Sequence, residues 1–200
     1  MQFDRTKLRA AILYTCAKCD RGQFGAVKLN KVLYFTDMLR YAWTGLPVTG
    51  ATYKKRKHGP TTDQLLPALR ELAAENKLEI HEVSFFGFTK KEYATLIEPD
   101  IASLSREEII LLDEVIDFVC AGNTANAIFE FSHQTPWEMV EFGEEIPYHS
   151  AFLLFPSEVS LDALEWAEAE AKEIADQTAR SEQVVYTDGS VFRRRLLEAR

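Results

Sequence analysis

The chain has 200 residues, 46% hydrophobic and 12% aromatic, with only 9 Gly and 7 Pro. That composition supports an ordinary packed core and excludes a collagenous, low-complexity or wholly disordered chain. The net charge of −8 is unevenly spread: residues 1–60 hold 12 basic and 3 acidic side chains, residues 61–200 hold 11 and 28.

No apolar run reaches the ~18 residues needed to span a bilayer. The opening MQFDRTKLRAAILYT is amphipathic and lacks the basic-then-apolar pattern of a secretion signal. Three cysteines give no disulfide framework. The expectation is a cytoplasmic, reduced protein without cofactor, metal or membrane attachment.

Residues 5–19 place Leu8, Ala11, Ile12, Thr15 and Cys16 at helical spacing. A second helix follows from Lys28, its stripe of Leu29, Val32, Leu33, Thr36 and Leu39 widened by Tyr34, Phe35, Met38 and Tyr41, so it belongs at the centre of the core. Gly45-Leu46-Pro47 ends it. Residues 48–60 read as an extended stretch and turn. Thr61-Thr62-Asp63-Gln64 has capping-box spacing ahead of Leu65, Leu66, Leu69 and Leu72. Around Gly87 the period shortens, predicting a two-stranded ribbon over 78–97.

Ser105-Arg106-Glu107-Glu108 is a second capping box, before Ile109, Leu112, Val115 and Ile116. Asn123 is placed to cap a short helix carrying Ile128, Phe129 and Phe131. Thr135-Pro136-Trp137-Glu138 predicts another start, with Thr135 as N-cap and Pro136 at the first helical position. A last helix, about 158–180, sets Leu161, Leu164, Ala167, Ala171 and Ile174 against an acidic side. The fold class is mainly α, α+β: one domain over 1–180 with a small ribbon, and a tail over 181–200.

Catalytic patterns are absent. There is no G-x-S-x-G, H-E-x-x-H, P-loop or dinucleotide fingerprint, and Ser132-His133 adjacency does not by itself align the side chains. Cys16-Ala17-Lys18-Cys19 has zinc-knuckle spacing but lacks a second pair, and reads as packing. Lys54-Lys55-Arg56-Lys57-His58 is the one concentrated basic cluster; it suits an acidic protein partner, phosphate, or plain solvation. The opposing acidic field argues against nucleic acid.

Several segments together resemble the Panacea domain of SocA-like antitoxins. They are Lys28-Leu29-Asn30-Lys31-Val32-Leu33-Tyr34-Phe35-Thr36-Asp37, then Thr44 through Tyr53, Gly59-Pro60, Leu104-Ser105, Ser132-His133 upstream of Pro136-Trp137, and Ile146-Pro147-Tyr148. Order and spacing agree over about 28–150. The resemblance implies a mostly helical antitoxin, encoded beside a toxin gene in bacteria or prophages, that neutralises a cognate protein toxin by direct binding. It carries over Lys28, Lys31, Tyr53 and His133 as recurring polar positions and candidate contacts. Lys54, Lys55, Arg56 and Lys57 join them from the basic cluster, and Glu165, Glu168 and Asp176 from the acidic helix, where they would steer association. The rival readings are an adaptor that delivers the toxin to a protease, a DNA-binding autoregulator, and a hydrolase of unknown type.

Overall fold

A computed structural model describes residues 2–20, 24–85, 88–121 and 131–154, with residues 128, 166 and 169–172. The chain divides into two compact units, Met1–Pro156 and Ser157–Arg200. In the second, residues 166 and 169–172 are helical. The rest of the acidic helix expected over 158–180, the tail from 181 and the cap expected at Asn123 lie outside the described residues.

Helix α1 spans Arg5–Lys18, where Asp4 accepts the Lys7 N–H at 2.9 Å as N-cap and Lys18 complements the dipole in the last turn. Leu8, Ala11, Ile12, Thr15 and Cys16 are buried at the expected spacing.

Helix α2, Ala26–Thr44, ends on Gly45 in the left-handed conformation (φ 75°), whose N–H bonds the Tyr41 carbonyl at 2.8 Å. Every residue from Leu29 to Met38 is buried. A helix buried on all sides must lie at the centre of the core, as the wide apolar stripe predicts. It also carries Asn30, Lys31, Thr36 and Asp37 inside. Buried polar groups need partners, and finding them organises the rest of the unit.

Strands β1 (Tyr53–Arg56) and β2 (Gly59–Thr62) form an antiparallel hairpin, pairing Tyr53 with Thr62 and Arg56 with Gly59. The far edge of β1 is occupied too. Lys55 N–H donates to the Glu144 carbonyl, Gly143 N–H to the Lys55 carbonyl, and Ile146 N–H to the Tyr53 carbonyl, at 2.8–2.9 Å. Thr62 N–H donates to Asn30 Oδ1 at 3.1 Å, tying β2 to α2. The expected extended stretch over 48–60 is therefore part of a second ribbon, and Thr61 and Thr62 belong to a strand.

Helix α3, Leu65–Ala74, accordingly starts after Gln64 without the capping box expected at Thr61. Asn76 (φ 54°) lets Lys77 N–H close its end on the Leu72 carbonyl at 2.9 Å. Strands β3 (Leu78–Phe85) and β4 (Phe88–Thr95) make the predicted ribbon, paired from Leu78–Thr95 to Phe85–Phe88.

Helix α4, Arg106–Ile116, has the predicted capping box: Glu108 N–H donates to Ser105 Oγ, and Ser105 N–H to Glu108 Oε2 at 2.9 Å. Buried Glu108 also receives Lys7 Nζ at 2.7 Å, joining α4 to α1. A wider π turn, Asp117–Ala121, continues α4 and brings Phe118 within 6.0 Å of Phe35 and 5.1 Å of Phe131, ring to ring.

The short helix α5 is Thr135–Glu138, and its N-cap is Gln134. Thr135 is thus the first helical residue, and Pro136 the second, correcting the expected start by one position. A 3₁₀ turn, Tyr148–Leu153, completes the described unit.

These starts give a paired test by chemical denaturation. Ser105→Ala removes a working N-cap and should lower stability by roughly 0.5–2 kcal/mol. Thr135→Val, at an exposed position without a cap bond, should change it by no more than about 0.5 kcal/mol. A larger loss at Thr135 would restore it as the cap.

Candidate functional site

Two adjoining polar clusters are built on the buried face of α2. The first centres on Asp37, which is fully buried. Thr49 N–H donates to Oδ1 at 2.6 Å. Oδ2 accepts from Thr49 Oγ1 at 2.5 Å, Tyr53 Oη at 2.8 Å and Tyr148 Oη at 3.2 Å. The Tyr148 hydroxyl is shared with the Ala51 carbonyl at 2.6 Å. Burial drives the Asp37 pKa upward, and its four hydrogen bonds pull it back. The Tyr53 and Tyr148 hydroxyls are raised, chiefly by burial and further by the nearby carboxylate.

The loop that delivers Thr49 needs the residue beside it to be glycine. Gly50 has φ 67°, and a Cβ there would stand 2.5 Å from the Gln2 carbonyl oxygen. Asp4 N–H then bonds the Thr49 carbonyl at 2.8 Å, so the start of α1 rests on the same loop.

The second cluster lies where Lys31 meets the hairpin turn. Gly59 has φ 103°, and a Cβ there would sit 3.2 Å from Ser132 Oγ, 3.4 Å from His133 Cε1 and 3.7 Å from Lys31 Cε. Those three side chains therefore converge on the glycine. Ser132 Oγ and His133 Nδ1 are 3.2 Å apart, so the fold brings the two side chains into contact, which adjacency alone did not establish. The His133 and Trp137 rings meet edge-to-face at 4.3 Å. Lys55 Nζ lies 4.1 Å from the Trp137 ring centroid and donates to the Val140 carbonyl at 2.9 Å. Lys31 is 4% exposed, and burial lowers its pKa to about 8.

Strand alternation sorts the basic segment. Tyr53 and Lys55 point to the Asp37 and Trp137 side. Lys54 and Arg56 point the other way and share Asp63, at 2.7 and 3.5 Å; these cations hold the Asp63 carboxyl below its ordinary range, the Lys54 hydrogen bond foremost. Lys57 and His58 are exposed at the turn. The Lys28 charge acts on the Cys19 and Cys120 thiols. Glu165, Glu168 and Asp176 fall outside the described residues.

The structure thus gathers Lys31, Tyr53, Lys55 and His133 along one α2–hairpin–α5 seam. Tyr53 is 1% exposed, so it serves the Asp37 network and is not a surface contact. Sequence reasoning missed Asp37, Thr49 and Tyr148 as one unit. The signal available was an acid inside an otherwise apolar helical stripe, with two tyrosines and a Thr-Gly loop downstream. Chemically, the seam offers a hydroxyl against an imidazole, and ammonium groups beside it. Among the described residues no three His, Cys, Asp or Glu side chains are disposed to hold a metal.

A family model described as the SocA-like antitoxin, Panacea domain, matches residues 29–138, which spans most of α2 through α5 and covers both clusters apart from Val140 and Tyr148. No curated protein and no solved structure matches the chain.

Losing the Asp37 carboxylate strands several buried donors. Asp37→Ala should cost roughly 3–5 kcal/mol in urea unfolding, and Tyr148→Phe about 1–2 kcal/mol. Combined, they should cost less than their sum, because both remove the same bond; strict additivity would contradict a shared network. Lys31 gives a pH test. Its folded pKa is lowered to about 8 from 10.5, so between those values the unfolded chain holds the extra proton and stability contributed by this group rises with pH. Wild type should therefore gain on Lys31→Met between pH 7.5 and about 10. A constant difference would place the ammonium in water.

Proposed function

We propose, because the chain belongs to the Panacea-domain family of SocA-like antitoxins, that it neutralises a cognate protein toxin by direct binding. The family match over 29–138 is the observation that carries this reading. It supports a binding role more than a catalytic one, and leaves Ser132 and His133 as props of the hairpin turn. Occlusion of the toxin's working surface is the simplest mechanism, since a bound protein of this size excludes substrate without chemistry of its own.

The surface supports the reading in two ways. Trp43 and Leu46, at the end of α2, are 65% and 67% exposed; Phe142 and Phe152, in the segment that follows α5, are 64% and 62% exposed. The Phe152 ring lies 6.1 Å from that of Tyr41, one helical turn before the α2 terminus. Large exposed apolar side chains of this kind anchor protein interfaces when polar residues surround them. The exposed Lys57 and His58 turn supplies a basic point for steering a charged toxin, and the sequence adds the acids Glu165, Glu168 and Asp176 as candidates of opposite sign.

The test is co-expression with the product of the neighbouring reading frame. The parent chain should restore growth. Trp43→Glu with Phe152→Glu should abolish rescue and weaken binding at least tenfold, about 1.4 kcal/mol, with circular dichroism and melting temperature unchanged. Full rescue by the double variant would move the interface elsewhere. Rescue that vanishes in a protease-deficient host, with binding intact, would favour the adaptor.

A further inference from the structure

The cysteine read from sequence as half of a C-x-x-C pair meets a different partner. Cys19, the C-cap of α1, places Sγ 3.0 Å from Sγ of Cys120 in the π turn after α4. The contact is 101 positions apart in sequence. Cys16 sits one turn earlier on α1, 4% exposed, and burial raises its thiol to about 12.

The two sulfurs in contact are not equivalent. Cys120 is half-buried and Cys19 is 8% exposed. Each would otherwise resist ionisation through burial. Either sulfur can donate to the other at this distance; the shared hydrogen bond lowers the Cys120 pKa and raises that of Cys19, and the Lys28 charge favours the thiolate at both. An accessible thiolate, a second thiol already in contact and a neighbouring cation are what thiol–disulfide exchange requires.

We propose that Cys19 and Cys120 form a reversible thiol–disulfide exchange site whose oxidant is a low-molecular-weight disulfide of the glutathione class. The Cys120 thiolate attacks one sulfur of the small disulfide, forming a mixed disulfide and releasing one small thiolate. Cys19, losing its proton, then attacks the Cys120 sulfur and expels the second small thiolate. Two protein thiols are oxidised, one small disulfide is reduced to two thiols, and the two protons released from the cysteines go to the leaving groups. The bond ties the end of α1 to the turn after α4, closing a loop of about 100 residues, which restricts the unfolded chain strongly.

The experiment uses the full reduced chain in mixtures of reduced and oxidised glutathione, with thiols counted after denaturation. Three free thiols should fall to one, peptide mapping should find the Cys19–Cys120 link, and the melting temperature should rise by roughly 10 °C. Cys16→Ser should close as the parent does. Cys19→Ser should stop at a glutathione adduct on Cys120. Lys28→Gln should move the pH profile of the first step upward, a change that loss of packing alone would not produce. Three thiols that persist under oxidising mixtures, or a link mapped to Cys16–Cys19, would overturn the proposal; an unchanged Lys28→Gln profile would overturn the role given to Lys28.

Discussion

The carboxylate of Asp37 is the constraint on which the described unit depends. An acid within the buried stretch of a central helix is costly unless donors replace the water it loses. Here they come from three places in the sequence: the Thr49 loop, strand β1 through Tyr53 and the 3₁₀ turn through Tyr148. Each donor can reach Asp37 only if its segment is docked. The one buried group therefore sets where the hairpin and the 139–153 segment lie against α2, while apolar packing supplies most of the driving force.

The neighbouring details follow from that docking. With Tyr53 turned inward, alternation sends Lys55 onto Trp137 and sends Lys54 and Arg56 outward to Asp63. A strand with the sequence Tyr-Lys-Lys-Arg can then sit between two paired edges, since its charges leave by one face or rest on an aromatic ring. The turn it forms with β2 must pass Ser132, His133 and Lys31, and glycine at 59 gives the room. Polar positions that look like a contact surface in the sequence are in good part the means by which the frame is held.

That explains what was legible in the sequence. The central helix, the Ser105 capping box and the 78–97 ribbon announce themselves through local periodicity and local hydrogen bonding, and each stands as expected. The first hairpin was harder: β1 is cationic and β2 begins Gly-Pro, so neither has the alternating apolar signature of a strand. Its pairing comes from α2, Asn30 and the 143–146 segment, which are distant in sequence. The starts of α3 and α5 shifted for a related reason, because Thr61 is drawn into β2 and Gln134 takes the cap ahead of Thr135. The Asp37 network and the Cys19–Cys120 contact join residues up to 111 positions apart, and no local pattern marks them.

In the proposed antitoxin role, this frame supports a protein-binding face that includes the end of α2 and the segment after α5. Hydrogen–deuterium exchange with and without the product of the neighbouring reading frame tests that most directly. Binding should slow exchange chiefly in residues 41–46 and 139–153. Tight binding with protection confined to other segments, or no binding at all, would contradict it.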